Sequence, residues 1–139
     1  MEGSSDRDTI LVVEDVEAIR RMVCGMLSQC GYRCLEAGDG AEALRVLSET
    51  CEVSLILTDM IMPVLDGPEL ARRVVRMRPE VRIIFMSGYM DDAMVRSIEQ
   101  SPTMFLAKPF TATALMDKVR QSLARPWNGV PHLRPGSAL

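Results

Sequence analysis

Thr9-Ile10-Leu11-Val12-Val13 runs into Glu14-Asp15, and Val53-Ser54-Leu55-Ile56-Leu57-Thr58 runs into Asp59. Both are short apolar runs, rich in β-branched residues, that stop abruptly on carboxylates. Runs of this length and make-up read as strands buried on both faces, as in parallel sheets. Ligands of such sheets gather at the carboxyl ends of the strands, where the strand order reverses. If the two strands are neighbours, three acids meet in one crevice.

Three like charges a few ångströms apart are costly unless something positive sits among them. A hard divalent cation with oxygen ligands is one neutraliser, and a fixed lysine is a second. The chain supplies the lysine: Phe105-Leu106-Ala107 is another short apolar run, and it ends on Lys108-Pro109. Clustered acids, a cation and room for a metal point to phosphoryl chemistry.

Composition narrows the classes. The 139 residues make one domain with enough length to bury a core, and 47% apolar with 25% charged residues is ordinary for a globular protein. No apolar run approaches the ~18 residues of a membrane span, and Met1-Glu2-Gly3-Ser4-Ser5 does not read as a signal peptide, so the cytoplasm is the expected location. A net charge of -3 and 4% aromatic residues give no footprint for nucleic acid. The four cysteines form no C-x-x-C pair and no ligand pattern with histidine, which argues against a zinc site or a redox dithiol. Cys24 and Cys30 lie in a helical apolar pattern and read as small buried hydrophobes. The only histidine, His132, falls in a Pro/Gly-rich tail, so the folded part has no histidine to act as donor, base or ligand.

Strand-like runs alternate with helical patterns five times. Ile19, Met22, Val23, Met26, Leu27 and Cys30 recur at helical spacing until Gly31 stops them. Tyr32 to Glu36 reads as a second strand. Asp39 with Glu42, and Asp66 with Glu69, have capping-box spacing at the starts of two helices. The second of these has Pro68 in its first turn, buries Leu70, Ala71, Val74 and Val75, and ends at Pro79. The arginines Arg72, Arg73, Arg76 and Arg78 read as a solvated helix face. Val81 to Met86 is a fourth strand, Asp91 to Glu99 a weakly periodic helix, and Met104 to Ala107 a fifth strand. Thr111 caps a last helix carrying Leu115, Met116, Val119 and Leu123. The pattern predicts an α/β, doubly wound five-stranded parallel sheet with helices on both faces, for which 2-1-3-4-5 is one of two common strand orders. Residues 1–7 are expected to be a disordered N-terminus, 8–124 the domain, and 125–139 a flexible tail or linker.

Glu14-Asp15, Asp59 before Met62-Pro63, Asp66-Gly67, Ser87-Gly88 and Lys108-Pro109-Phe110 together resemble the receiver domain of two-component response regulators. The resemblance covers residues 8 to 124. Phe85-Met86-Ser87-Gly88-Tyr89 looks most like receivers at the C-terminus of hybrid sensor histidine kinases. It implies a flavodoxin-like (βα)5 fold of order 2-1-3-4-5 and a phosphorelay function. Asp59 would be the phosphoacceptor, taking a phosphoryl group from a histidine kinase or a histidine phosphotransfer protein. Mg²⁺ would be held by Asp15 and Asp59, by Glu14 through water, and by the Ile61 backbone carbonyl. Lys108, on a cis bond to Pro109, would offset charge developing on the phosphoryl oxygens. Ser87 would donate its hydroxyl to the phosphoryl group, and Phe105 would be the aromatic that moves with it. Phe105 lacks the hydroxyl often present at that position. Ile61 and Tyr89 would flank the mouth through which water reaches the acyl phosphate. The resemblance allows a weak homodimer and implies no nucleic-acid partner and no separate enzyme activity beyond self-phosphorylation and dephosphorylation.

Two other readings compete. A Mg²⁺-dependent phosphatase working through an aspartyl-phosphate needs a second acid two residues after the nucleophile, and that position is Ile61. A pseudo-receiver, a binding module with a dead site, would lack one of Asp15, Asp59 or Lys108, and all three are present.

Overall fold

The computed structural model describes residues 8–88 and 104–125. Tyr89, the helix expected over Asp91 to Glu99, the N-terminal seven residues and the tail from 126 lie outside the described residues. The elements run β1 (Thr9–Val13), α1 (Glu17–Gln29), β2 (Arg33–Ala37), α2 (Gly40–Glu49), β3 (Val53–Asp59), α3 (Gly67–Met77), β4 (Arg82–Ser87), β5 (Phe105–Ala107) and α4 (Ala112–Ala124). All strand pairings are parallel, and the order is β2-β1-β3-β4-β5. The doubly wound order expected of the family is the observed one.

Continuous apolar strands are explained by two cores rather than one. Leu11, Val13, Ile56, Ile83 and Phe85 face one side, against Ala43 and Leu47 of α2 and Leu70, Ala71 and Val74 of α3. Their neighbours Ile10, Val12, Leu55, Leu57, Ile84 and Met86 face the other, against Val23 and Leu27 of α1 and Leu115, Met116 and Val119 of α4. Alternate side chains of a strand point to opposite faces, so a polar residue at any position from Ile10 to Val13 would open one of the cores. Each such aliphatic side chain contributes about 1.5–3 kcal/mol on burial. The strands therefore carry their polar groups at or next to their ends.

Helix starts follow the capping signals. Asp39, Asp66 and Thr111 accept from the backbone N–H groups of Glu42, Glu69 and Ala114. The Glu42 carboxylate reaches one residue further back than a standard capping box and accepts from the Gly38 N–H at 2.6 Å. At the α1 terminus, Gly31 takes φ +94°, a left-handed value that glycine adopts without cost.

Three expectations are corrected. Cys30 is exposed, because it follows the last turn of α1 rather than facing the core. Met22 is half exposed, beyond the edge of the buried stripe formed by Val23, Cys24 and Leu27. Arg78 is no part of a solvated run: its guanidinium donates to the carbonyls of Leu47, Thr50 and Cys51, closing the C-terminal end of α2. Arg72 and Arg73 do lie outward, where both pair with Glu69.

The loop from β3 to α3 is pinned at its far end. The Gly67 N–H donates to the Met60 carbonyl at 2.8 Å, and a Cβ at Gly67 would stand 2.5 Å from the Asp59 carbonyl oxygen. Between them, Val64 has φ +72° and the Leu65 N–H donates to the Pro63 carbonyl at 2.8 Å. That is a γ-turn of the rarer, positive-φ kind, strained for a β-branched residue.

Gly67→Ala should therefore cost about 1–3 kcal/mol, since backbone must move to admit the methyl group. Gly25→Ala should have the opposite sign, about 0.5–1 kcal/mol stabilising, because Gly25 lies inside α1 with nothing within 4 Å of its Cβ position. Urea unfolding of the two variants checks both; equal effects would contradict the close approach at Gly67.

Candidate functional site

The ends of β1 and β3 lie side by side, with Val13 paired to Thr58. Glu14, Asp15 and Asp59 follow directly, and one carboxylate oxygen from each lies within 4.8 Å of the others. Their environments differ. Glu14 is buried, Asp59 is partly buried, and Asp15 is exposed. All three donors are hard, anionic oxygens, the set that suits Mg²⁺ or Ca²⁺ rather than a soft metal.

Lys108 enters from β5, with β4 between it and the acids. Its Nζ donates to Glu14 Oε1 at 2.7 Å and to Asp59 Oδ2 at 3.1 Å. The ammonium thus bridges residues 94 and 49 positions away in the chain. Its backbone N–H donates to the Ser87 carbonyl at 2.8 Å, and the Lys108-Pro109 bond is cis.

Glu14 is held from several directions. Its Oε2 accepts from the Val16 N–H at 3.1 Å, its own N–H donates to the Ala37 carbonyl, and its carbonyl accepts from Arg20 Nη1 at 2.9 Å. Arg20 also pairs through Nε with Glu36 at the end of β2. The anchoring role of Arg20 was not legible in the chain, because nothing in a helical arginine announces that it folds back over the preceding turn.

Burial pushes the Glu14 carboxyl above its ordinary value, with the Asp59 charge adding to the rise; the hydrogen bonds from Lys108 and the Val16 N–H oppose it without cancelling it. Burial pulls Lys108 down, but its hydrogen bonds to Glu14 and Asp59 and their charges together outweigh it. The lysine stands above its ordinary value and stays charged.

The Asp59 Oδ1 accepts from the Met60 N–H at 3.0 Å, and the Thr58 hydroxyl donates to the Asp59 carbonyl at 2.9 Å. Ser87 ends β4, one residue beyond the Met86 that pairs with Asp59, and is buried. Phe105 is half-buried and stacks on Phe85 with ring centroids 5.5 Å apart. Ile61 is 71% exposed; Tyr89, expected across the mouth from it, lies outside the described residues. Beside the cation an apolar cavity of about 430 Å³ is lined by Ile19, Met22, Lys108, Pro109 and Phe110, a feature the sequence did not announce.

Comparisons with known proteins point to one family. The model of the response regulator receiver domain family matches residues 10–120. The sensor kinase CckA of Brucella abortus is 37% identical over 119 residues, which cover 84% of this chain and 13% of the kinase. The response regulator receiver protein CpdR of the same organism is 35% identical, over 82% of this chain and 95% of that protein. Among solved structures, a response regulator receiver domain protein from Clostridium thermocellum superposes with a TM-score of 0.75 at 28% identity, covering 84% of this chain and 94% of that one. This chain thus spans nearly the whole of one relative and a small part of another.

Removing the cation should expose the cost of the acids. In metal-free buffer at neutral pH, Lys108→Met should lose about 2–4 kcal/mol, because it strands a buried carboxylate. Glu14 already holds its proton more tightly folded than unfolded, so its contribution to stability falls as pH rises through the raised value. Without Lys108 that rise is larger. The deficit should shrink as pH falls toward the ordinary carboxylate range. Denaturant unfolding of both proteins at about pH 7.5 and about pH 5 measures it; an identical deficit at both would show that Lys108 does not neutralise Glu14.

Proposed function

The chain belongs to the response regulator receiver domain family, and we propose on that basis that Asp59 accepts a phosphoryl group from a phosphohistidine on a histidine kinase or phosphotransfer protein. The observation that carries this reading is the Lys108 ammonium set between Glu14 and Asp59 at the ends of three strands. That ammonium holds the Asp59 carboxylate at the strand end, where an incoming phosphoryl group would meet it. In transfer, an Asp59 oxygen attacks phosphorus as the phosphorus–nitrogen bond breaks, and the imidazole leaves with its electron pair.

Lys108 offsets the charge gathering on the phosphoryl oxygens and has a short way to move, since it already touches Asp59. Ser87, at the end of the neighbouring strand, would donate its hydroxyl to the new group. Phe105 is packed against the same strand through Phe85, so a shift of Ser87 and a change of the Phe105 ring would be coupled as one two-state element. The apolar cavity next to Lys108 suits a helix of the donor protein, whose histidine must come within reach of the crevice.

The acid cluster fits Mg²⁺: Asp15 and Asp59 would bind it, with Glu14 through water and the Ile61 carbonyl completing the protein donors. When bound, the ion supplies positive charge against the phosphoryl oxygens and relieves repulsion among the acids. Ile61, exposed at the mouth, offers no polar group to orient an attacking water, which favours a long-lived phosphoryl group.

Transphosphorylation from a small phosphodonor tests the assignment. The wild-type chain should take up one phosphoryl group in a Mg²⁺-dependent reaction, and Asp59→Asn should take up none while unfolding normally. Undiminished phosphorylation of the variant would remove Asp59 from the role.

Mg²⁺ alone should also stabilise the fold, by about 1–3 kcal/mol at ten- to a hundredfold above its Kd. Asp15→Asn should raise the stability of the metal-free protein by relieving repulsion, and should blunt the response to Mg²⁺. Thermal unfolding with and without the ion reads both; the same shift in the two proteins would mean that the three acids do not share a metal.

A further inference from the structure

At the end of the sheet away from the acids, two thiols meet. Cys24 lies on the inner face of α1 and is 8% exposed, while Cys34 lies on β2, paired with Ile10 of β1. The Cys34 Sγ is 3.6 Å from the Cys24 carbonyl oxygen, to which it donates, and the two cysteines pack in one cluster where α1 lies on β2. Ser28, one turn along α1 from Cys24, lines the same cavity as Cys34. Spacing in the chain argued against a redox dithiol; the packing of α1 on β2 nonetheless brings these two free thiols together.

The two thiols are not equivalent. Cys34 lines an open cavity of about 510 Å³ with Ser28, Tyr32 and Arg33, so a small solute reaches it. Cys24 is sealed beneath it in the core beside Val23 and Leu27. The neighbouring Cys24 thiol draws the Cys34 thiol below its ordinary pKa; burial opposes this and Ser28 assists it. Cys24 is raised by its Cys34 neighbour and by burial, so it keeps its proton. An accessible sulfur packed against a buried cysteine has the arrangement of an attacking cysteine and its resolving partner.

We propose that Cys34 and Cys24 form a peroxide-sensitive dithiol that closes to a disulfide tying α1 to β2. The Cys34 thiolate attacks one oxygen of hydrogen peroxide, the oxygen–oxygen bond breaks, and hydroxide leaves, giving a sulfenic acid. The Cys24 sulfur then attacks the Cys34 sulfur, and the hydroxyl departs with the Cys24 proton as water. Two thiols are oxidised, one peroxide is reduced, and two waters result once the hydroxide is protonated. A small dithiol reverses the step by exchange. The pair stands apart from the phosphoryl site and does not depend on it.

The test is peptide mapping of the full chain after limited hydrogen peroxide, with the remaining thiols alkylated before digestion. A linked Cys24–Cys34 peptide pair is expected, lost on dithiothreitol treatment, together with a higher melting temperature for the oxidised protein. A variant with Cys30→Ser and Cys51→Ser, which removes both exposed thiols, should form the same link. Cys24→Ala should yield Cys34 carried on to sulfinic acid with no internal link. Oxidation of Cys30 and Cys51 in the wild type while Cys24 and Cys34 stay free thiols would overturn the proposal. So would sulfinic acid at Cys34 with Cys24 unreacted beside it.

Discussion

The ammonium of Lys108 lies within hydrogen-bond reach of two carboxylates from two other strands, 2.7 Å from Glu14 and 3.1 Å from Asp59. Two unit charges about 4 Å apart repel or attract by roughly 4 kcal/mol at an effective dielectric of about 20. Glu14 is only 1% exposed, so water cannot screen it. The carboxyl end of the sheet holds together because that repulsion is met by a cation placed among the acids. Strand order makes this feasible. Setting β1 beside β3 brings Glu14 and Asp59 together, and β4 spaces β5 so that a lysine side chain reaches back across the gap. The crevice sits where the order reverses between β1 and β3, the place where ligands of open α/β sheets collect.

Among the described residues, several contacts around the cluster limit movement. The β3–α3 loop returns to the Met60 carbonyl through Gly67, so the Asp59 backbone is held from behind. Arg20 ties the Glu14 carbonyl to Glu36 of β2, and the two buried cores clamp the strands from both sides. On the proposed reading, the groups that respond to a phosphoryl group are the ammonium, the Ser87 hydroxyl and the half-buried Phe105 ring. A rigid frame with a few movable groups is suited to a switch, where a local charge change selects between two arrangements.

The apolar runs ending on acids were legible because buried parallel strands leave no other place for polar residues. The helix caps at Asp39, Asp66 and Thr111 were legible because a short polar side chain before an apolar stripe satisfies free N–H groups. The order of strands was not: periodicity gives elements without their neighbours, and 2-1-3-4-5 came from the resemblance carried by five short motifs. Cys30, Met22 and Arg78 were misplaced for one reason. Helical spacing says which residues share a face, but not where a helix ends or which carbonyls lie opposite an arginine. The meeting of Cys24 with Cys34 belongs to the same kind, since it depends on how α1 rotates on β2. Tyr89 and the helix over Asp91 to Glu99 stand as expectations.

The most direct measurement is chemical mapping of the acyl phosphate. The wild-type chain is phosphorylated with a small phosphodonor and Mg²⁺, then reduced with borohydride, which converts an acyl phosphate to an alcohol and leaves free carboxylates intact. Peptide mass mapping should find homoserine in place of Asp59 and nowhere else. Modification at Glu14 or Asp15, or none under conditions where phosphorylation was complete, would contradict the placement of the acceptor beside Lys108.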